Sequence, residues 1–346
     1  MRENLLQESF SAKVTDRRTF IVGATTLALG GLFAACNSGP STSTPTNKQY
    51  KIALIPGIDH VPFYEMVRKG AEDEARKQNT QILYQAPQKW DPALQSPIVD
   101  AMVAQKVDAI LISPCDNHAL ISSLQKANDA GVKVVTIDTA LGDGDYAKGD
   151  VKFPVAYIGS DNLKGGQLAG EVLIRAIGGK GKVYVQSLQP GASTTDQREQ
   201  GFRNAIAKTN GAVQVLNTQY DGGDQNKATT QASDVIQKNS DLAGIFGTTA
   251  YSAEGAANAV KNLGKSGEVK VVHFDASEQA ITDLRNGIVD FIIGQLPRDM
   301  GRIGVQYAVK ALNGATDLQK HVGTDFIVID HTNVDTPQSQ AAVYRV

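Results

Sequence analysis

Val269 to Met300, VKVVHFDASEQAITDLRNGIVDFIIGQLPRDM, is the stretch on which the reading of the whole chain turns. An apolar run ends in Phe274-Asp275, a helical pattern follows, and a second apolar run ends in Gln295-Leu296-Pro297. Near-continuous apolar strands are expected where helices cover both faces of a parallel sheet. Ligands of open α/β sheets sit beyond the carboxyl ends of the strands. Asp275 and Gln295 are polar residues at two such ends, which makes both candidate ligand contacts. The chain is expected to pass from one half of the fold to the other just after Gln295.

Outward from this stretch the same alternation of strand and helix runs from Tyr50 onward, the signature of βαβ units. In a first series, strands are predicted at Lys51–Pro56, Gln81–Gln85, Val107–Ser113, Val132–Asp138 and Val155–Gly159, with helices at Pro62–Gln78, Pro92–Gln105 and His118–Ala130. Pro62 suits a first helical turn, where a missing N–H costs nothing. A second series runs through helices Leu163–Ile177, Asp196–Thr209, Gln225–Asn239 and Ser252–Leu263, with strands Lys182–Ser187, Val213–Gln219 and Leu242–Gly247 between them. After Pro297 a helix to Leu312 and a last strand, Phe326–Asp330, precede a polar tail. The 346 residues, 41% of them apolar, are enough for two such α/β halves.

Composition and motifs exclude several classes of function. A net charge of −2 with interspersed signs carries no nucleic-acid footprint. The loop after the first strand, Pro56-Gly57-Ile58-Asp59-His60, lacks G-x-G-x-x-G, and no Walker A motif or G-x-S-x-G elbow occurs. Asp143-Gly144-Asp145 and Asp221-Gly222-Gly223-Asp224 lack calcium-loop spacing and read as turns. The five histidines lack metal-ligand spacing, so neither metal nor cofactor is expected and no catalytic constellation is present. Two cysteines, Cys36 and Cys115, make no disulfide framework, and Cys115 is expected to be a buried inert thiol.

Residues 1–35 read as an address rather than a fold. Thr15-Asp16-Arg17-Arg18-Thr19-Phe20-Ile21 resembles the twin-arginine export motif, and Leu32-Phe33-Ala34-Ala35-Cys36 resembles a lipobox with Phe33 where Leu is usual. Cys36 is the expected lipidation site, with an uncut N-terminal anchor helix as the alternative. Residues 36–49 are rich in Ser, Thr and Pro and read as a tether.

Ile52-Ala53-Leu54-Ile55, Pro62-Phe63-Tyr64, Ile112-Ser113-Pro114, Thr136-Ile137-Asp138, Ser160-Asp161-Asn162, Arg198-Glu199-Gln200-Gly201-Phe202, Phe274-Asp275 and Gly294-Gln295-Leu296-Pro297 follow one another along the chain. As an ordered set at strand ends and helix starts, they resemble the ribose-binding-protein family of periplasmic sugar-binding proteins, whose fold is shared with the ligand domain of lac-repressor-type regulators. The resemblance spans Tyr50 to Asp330. It implies a type I periplasmic binding protein, with two doubly wound Rossmann-like lobes of parallel strands joined by a three-segment hinge. The hinge falls near Gly159-Ser160, Leu296-Pro297 and Thr324-Asp325. One lobe takes residues 50–159 with 297–324, the other 160–296 with 325–346.

The resemblance places Phe63, Tyr64, Asp138, Arg198, Asp275 and Gln295 at ligand positions. Ser113, Tyr220 and Thr249 follow with less support. A sugar ring presents hydroxyls and an apolar C–H face, so carboxylates, a guanidinium fork, an amide and aromatic planes suit it. Plainer roles stay open for each. Asp138 could form a turn and Asp275 could cap the next helix. Arg198 could belong to a solvated helical ion pair, and one of Phe63 and Tyr64, adjacent on a helix, could be core. Val61, Ser113 and Thr249 stand where the ribose pattern has amides, and Thr139 where it has a base. A sugar or polyol other than ribose is therefore expected. Trp90 either edges the cleft or packs its loop.

The expected protein is a monomeric, lipid-anchored, extracytoplasmic solute-binding protein of an ABC importer. It has a permease as partner and neither enzymatic activity nor affinity for nucleic acid. The alternative is a sensor subunit for a membrane receptor or kinase. A transcriptional regulator would need a helix-turn-helix before Tyr50, where an export signal stands instead.

Overall fold

Short apolar runs become inner strands because helices on both sides remove their side chains from water. In the computed structural model, which describes residues 49–345, this gives two sheets. The export signal, Cys36 and nearly all of the tether lie outside the described residues.

The chain opens with β1 (Lys51–Ile55), α1 (Pro62–Lys77), β2 (Gln81–Tyr84), α2 (Pro92–Ala104), β3 (Ala109–Ile112), α3 (Ile121–Asp129), β4 (Lys133–Ile137) and β5 (Ala156–Ser160). It continues through α4 (Asn162–Ala176), β6 (Gly181–Ser187), α5 (Ser193–Ala207), β7 (Val213–Val215), β8 (Gln219–Tyr220), α6 (Gln225–Lys238), β9 (Leu242–Gly247), α7 (Ala250–Asn262), β10 (Lys270–Phe274), α8 (Glu278–Arg285) and β11 (Phe291–Gly294). It closes with α9 (Pro297–Leu312), β12 (His321–Thr324), β13 (Ile327–Ile329) and α10 (Pro337–Ala341).

One sheet has the order β12-β5-β4-β3-β1-β2, and the other β13-β11-β10-β9-β6-β7, with β8 beside β6. All pairings are parallel except β11 with β13. Each sheet with its helices forms an α/β lobe. The chain changes sheet between β5 and α4, between β11 and α9, and between β12 and β13.

The structure alters three expectations. The strand predicted over Val213–Gln219 is broken into β7 and β8. The last predicted strand, Phe326–Asp330, shortens to β13 and is preceded by the unpredicted β12, whose exposed HVGT has no apolar run to announce it. The polar tail forms α10 and then buries Val343 and Tyr344.

Two helix pairs frame the interior. Glycine lets α1 and α9 touch backbone to backbone, since a Cβ on Gly70 would stand 2.0 Å from the Arg298 carbonyl oxygen and one on Gly301 2.0 Å from that of Val67. In the other lobe α4 meets α5 the same way, through Gly166 against the Arg198 carbonyl (1.9 Å) and Gly201 against that of Leu163 (2.0 Å).

Candidate functional site

β4 and β10 each end one residue before an aspartate in the left-handed region, Asp138 at φ 62° and Asp275 at φ 79°. Each still extends its sheet by donating its N–H to the neighbouring strand, Asp138 to Ile158 O at 2.9 Å and Asp275 to Ile293 O at 3.0 Å. Asp tolerates this conformation better than most residues, though at a cost. The departure from extended geometry ends the alternation of side chains and re-aims the carboxylate. Neither aspartate caps a helix. Ser277, not Asp275, caps α8 by accepting from Ala280 N.

Both carboxylates are buried, and each is held by a tyrosine. Tyr64 donates to Asp138 Oδ2 at 2.7 Å, and Ser113 Oγ, which donates to Ile137 O at 2.8 Å, stands 3.3 Å from the same oxygen. Tyr344 donates to Asp275 Oδ1 at 2.9 Å, and Gln295 Nε2 donates to that oxygen at 2.7 Å. Burial, then the adjacent carboxylate charge, raises both phenols well above the usual tyrosine range, so they remain donors. Burial also raises the Asp138 carboxyl above its ordinary 3.8. The Tyr64 hydrogen bond and the Arg198 charge oppose that rise, whereas the Asp275 charge adds to it. The Asp138 carboxyl thus feels the charges of Arg198 and Asp275, which come from the other lobe.

Arg198 is 4% exposed and not part of a surface ion pair. Its Nε donates to Asn162 Oδ1 and its Nη1 to Thr248 O, both at 2.8 Å, while the guanidinium lies 3.9 Å over the Phe274 ring. Nη2 keeps a donor with no hydrogen bond among the described residues. Glu199, its neighbour in sequence, pairs with Arg203.

The expectation that at most one of Phe63 and Tyr64 could take a core role is corrected: both are buried in the core. They lie in the first turn of α1, covered on one side by their own lobe and on another by the tail. Phe63 meets Tyr64 edge-on at 5.2 Å and Tyr344 at 5.8 Å. Trp90 stacks at 6.5 Å on Tyr64 and stays 40% exposed.

Gln295 joins the site to the crossings between sheets. Its Oε1 accepts from Ser160 Oγ at 2.7 Å, and Ser160 Oγ is 3.3 Å from Thr324 Oγ1. One side chain from each crossing thus meets the others. The remaining expected contacts stand apart from this network. Thr249 caps α7, bonded to Ser252, and Tyr220 on β8 is half-buried near Glu199. Cys115 is buried, its thiol donates to Gly57 O at 2.9 Å, and burial pushes its pKa up to about 12.

Sequence placed Ser160 and Thr324 at the crossings only, and it missed Asn162, Thr248 and Tyr344. Asn162 lies in the quoted Ser160-Asp161-Asn162 segment, which could have marked it. Tyr344 lies in a tail without periodicity and carried no signal. A cavity of about 390 Å³ lies not between the carboxylates but among α1, the start of α9 and Ala341–Tyr344. Among the described residues no group of three or more His, Cys, Asp or Glu could hold a metal ion.

Residues 52–316 match the profile of the periplasmic binding protein domain. The chain is 30% identical over 293 residues to the ribose import binding protein of Bacillus subtilis, covering 84% of this chain and 92% of that protein. A solute-binding protein of an ABC transporter from Agrobacterium vitis, solved with alpha-D-tagatopyranose, is 44% identical at a TM-score of 0.82, covering 86% of this chain and all of that one (100%). A second from Agrobacterium vitis, with D-fucose bound, is 32% identical at a TM-score of 0.77, covering 85% and 100%.

Proposed function

The chain belongs to the periplasmic binding protein family, and from that premise we propose that it captures a sugar or sugar-like polyol between its lobes, outside the cytoplasm, and delivers it to an ABC importer. The observation that carries this reading is the pair of buried, tyrosine-held aspartates at equivalent strand ends of the two lobes, with Arg198 beside them. Each carboxylate keeps one oxygen without a donor among the described residues, Oδ1 of Asp138 and Oδ2 of Asp275. Each of these accepts a ring hydroxyl. Arg198 Nη2 donates to a third oxygen, and Phe63 and Tyr64 offer apolar surface to a C–H face. Charged acceptors inside a dry cleft make strong hydrogen bonds to neutral hydroxyls.

The lobes comprise residues 50–159 with 297–324 and 160–296 with 325–346. They close by bending at the three crossings, and the ligand favours closure through its contacts with both. Tyr220, Thr249 and Ser113 shape the periphery or the support of the cleft. Residues 1–35 act as a twin-arginine export signal, Cys36 carries the lipid, and the mature protein works as a tethered monomer beside its permease.

A thermal-shift screen with D-tagatose, D-ribose, D-allose, D-fucose and simple polyols tests the reading. A ligand at a hundred times its Kd adds about 2.7 kcal/mol, which for a protein of this size raises Tm by roughly 4 °C. No shift with any sugar or polyol would overturn the proposal.

A further inference from the structure

Resting on the sugar-binding reading above, we infer that Tyr344 of the C-terminal tail is a positioning residue of the cleft, fixing the Asp275 carboxylate so that only Oδ2 faces the sugar. The tail is tied to both lobes at this point. Tyr344 N donates to Ala276 O at 2.9 Å, pairing the tail with the segment just past β10. Lys69 Nζ, on α1 of the other lobe, donates to Arg345 O at 2.7 Å, and Phe63, also on α1, meets the Tyr344 ring at 5.8 Å and 77°. The phenol is 3% exposed and delivers its hydrogen to Asp275 Oδ1.

Asp275 Oδ1 receives a second hydrogen from Gln295, whereas Oδ2 receives none from the described residues. Two donors on one oxygen set the rotation of the carboxylate and leave its other oxygen free to accept. A phenol does this without adding charge, so the carboxylate keeps its full negative charge for the ligand. Tyr64 does the same for Asp138, donating to Oδ2 and leaving Oδ1. The two tyrosines come from opposite ends of the folded chain, one on the first helix and one on the tail, yet both flank Phe63. Each lobe thus aims one carboxylate with a phenol, and the second aiming group is supplied by the chain terminus.

Full-length wild type, Tyr344→Phe, Asp275→Asn and the double variant are titrated with D-tagatose, D-ribose, D-allose and D-fucose by calorimetry. Weak complexes are followed by thermal shift at higher sugar concentration. Tyr344→Phe keeps the ring and its packing against Phe63, so its sugar-free Tm should stay near that of wild type. The expected result is a Kd about tenfold higher than wild type for the sugar bound, and less than about a twofold further change when Tyr344→Phe is added to Asp275→Asn. An unchanged Kd in Tyr344→Phe, or an equal weakening in both backgrounds, overturns the inference alone, the latter because it signals a packing role. A wild-type chain that binds none of the sugars overturns the sugar-binding reading and takes this inference with it.

Discussion

Asp138 and Asp275 share a backbone device that their side-chain chemistry explains. A left-handed residue directly after a strand keeps its N–H in the ladder while it turns its side chain out of register, and Asp pays less for this than most residues. Both are buried and both are held on one oxygen by phenol donors, an arrangement that serves a ligand better than it serves the empty protein. Asp138→Asn tests this conflict. Because burial raises the folded-state pKa of Asp138 above 3.8, the folded state favours the protonated form. The carboxylate is therefore least costly below pH 3.8, and its cost to stability appears as pH rises through the folded value. Asp138→Asn should raise the sugar-free Tm at pH 7, because the amide carries no charge to desolvate. The gain should vanish below about pH 4 and sugar binding should be lost, as followed by calorimetric melting across pH. A variant no more stable than wild type at pH 7 would refute the claim that this carboxylate is held at a cost. Both aspartates were legible in the sequence as polar ends to apolar strands. Tyr344 was not, because nothing local in a short irregular tail reports what it packs against.

At the scale of elements, the contact between α4 and α5 depends on glycine. Gly166 faces the backbone of Arg198, so the helix that carries the guanidinium sits as close as two helices can. Gly166→Ala would gain about 1 kcal/mol of helix propensity but would place a Cβ 1.9 Å from the Arg198 carbonyl oxygen. Overpacking against a backbone atom that cannot swing away falls at the upper end of about 1–3 kcal/mol, so the clash wins by about 2 kcal/mol. We expect Tm to fall by about 3 °C, together with weaker sugar binding because Arg198 moves with α5. A neutral or stabilised variant would refute it. The helices themselves were readable from their periodicity and starts, for instance Pro62 opening α1, whereas Asp224, read from sequence only as part of a turn, proves to cap α6. That Gly70, Gly166, Gly201 and Gly301 mark backbone contacts was not readable, since a glycine in a helical pattern does not name what it touches.

Across the whole molecule, the three changes of sheet converge on Ser160, Gln295 and Thr324, and Gln295 passes the connection on to Asp275. The crossings between the sheets and the buried Asp275 carboxylate therefore share an amide. Ser160→Ala would leave Gln295 Oε1, in a side chain only 2% exposed, without its donor. A buried acceptor left unpaired costs about 1–3 kcal/mol, so the urea midpoint should fall. The loss of compactness control should show in small-angle scattering as a smaller change on adding sugar. An unchanged midpoint and an unchanged scattering response would argue against a linking role for these crossings.

The sequence by itself determined the α/β alternation, the two series of strands, and the polar residues standing at strand ends, because apolar continuity and caps are local properties of a chain. Only the tertiary structure decided which oxygen of each carboxylate is occupied, that Phe63 and Tyr64 are both covered, and that Tyr344 reaches Asp275. Those facts depend on contacts between residues as far apart as Phe63 and Tyr344, and such contacts leave no periodic trace in either partner's own segment.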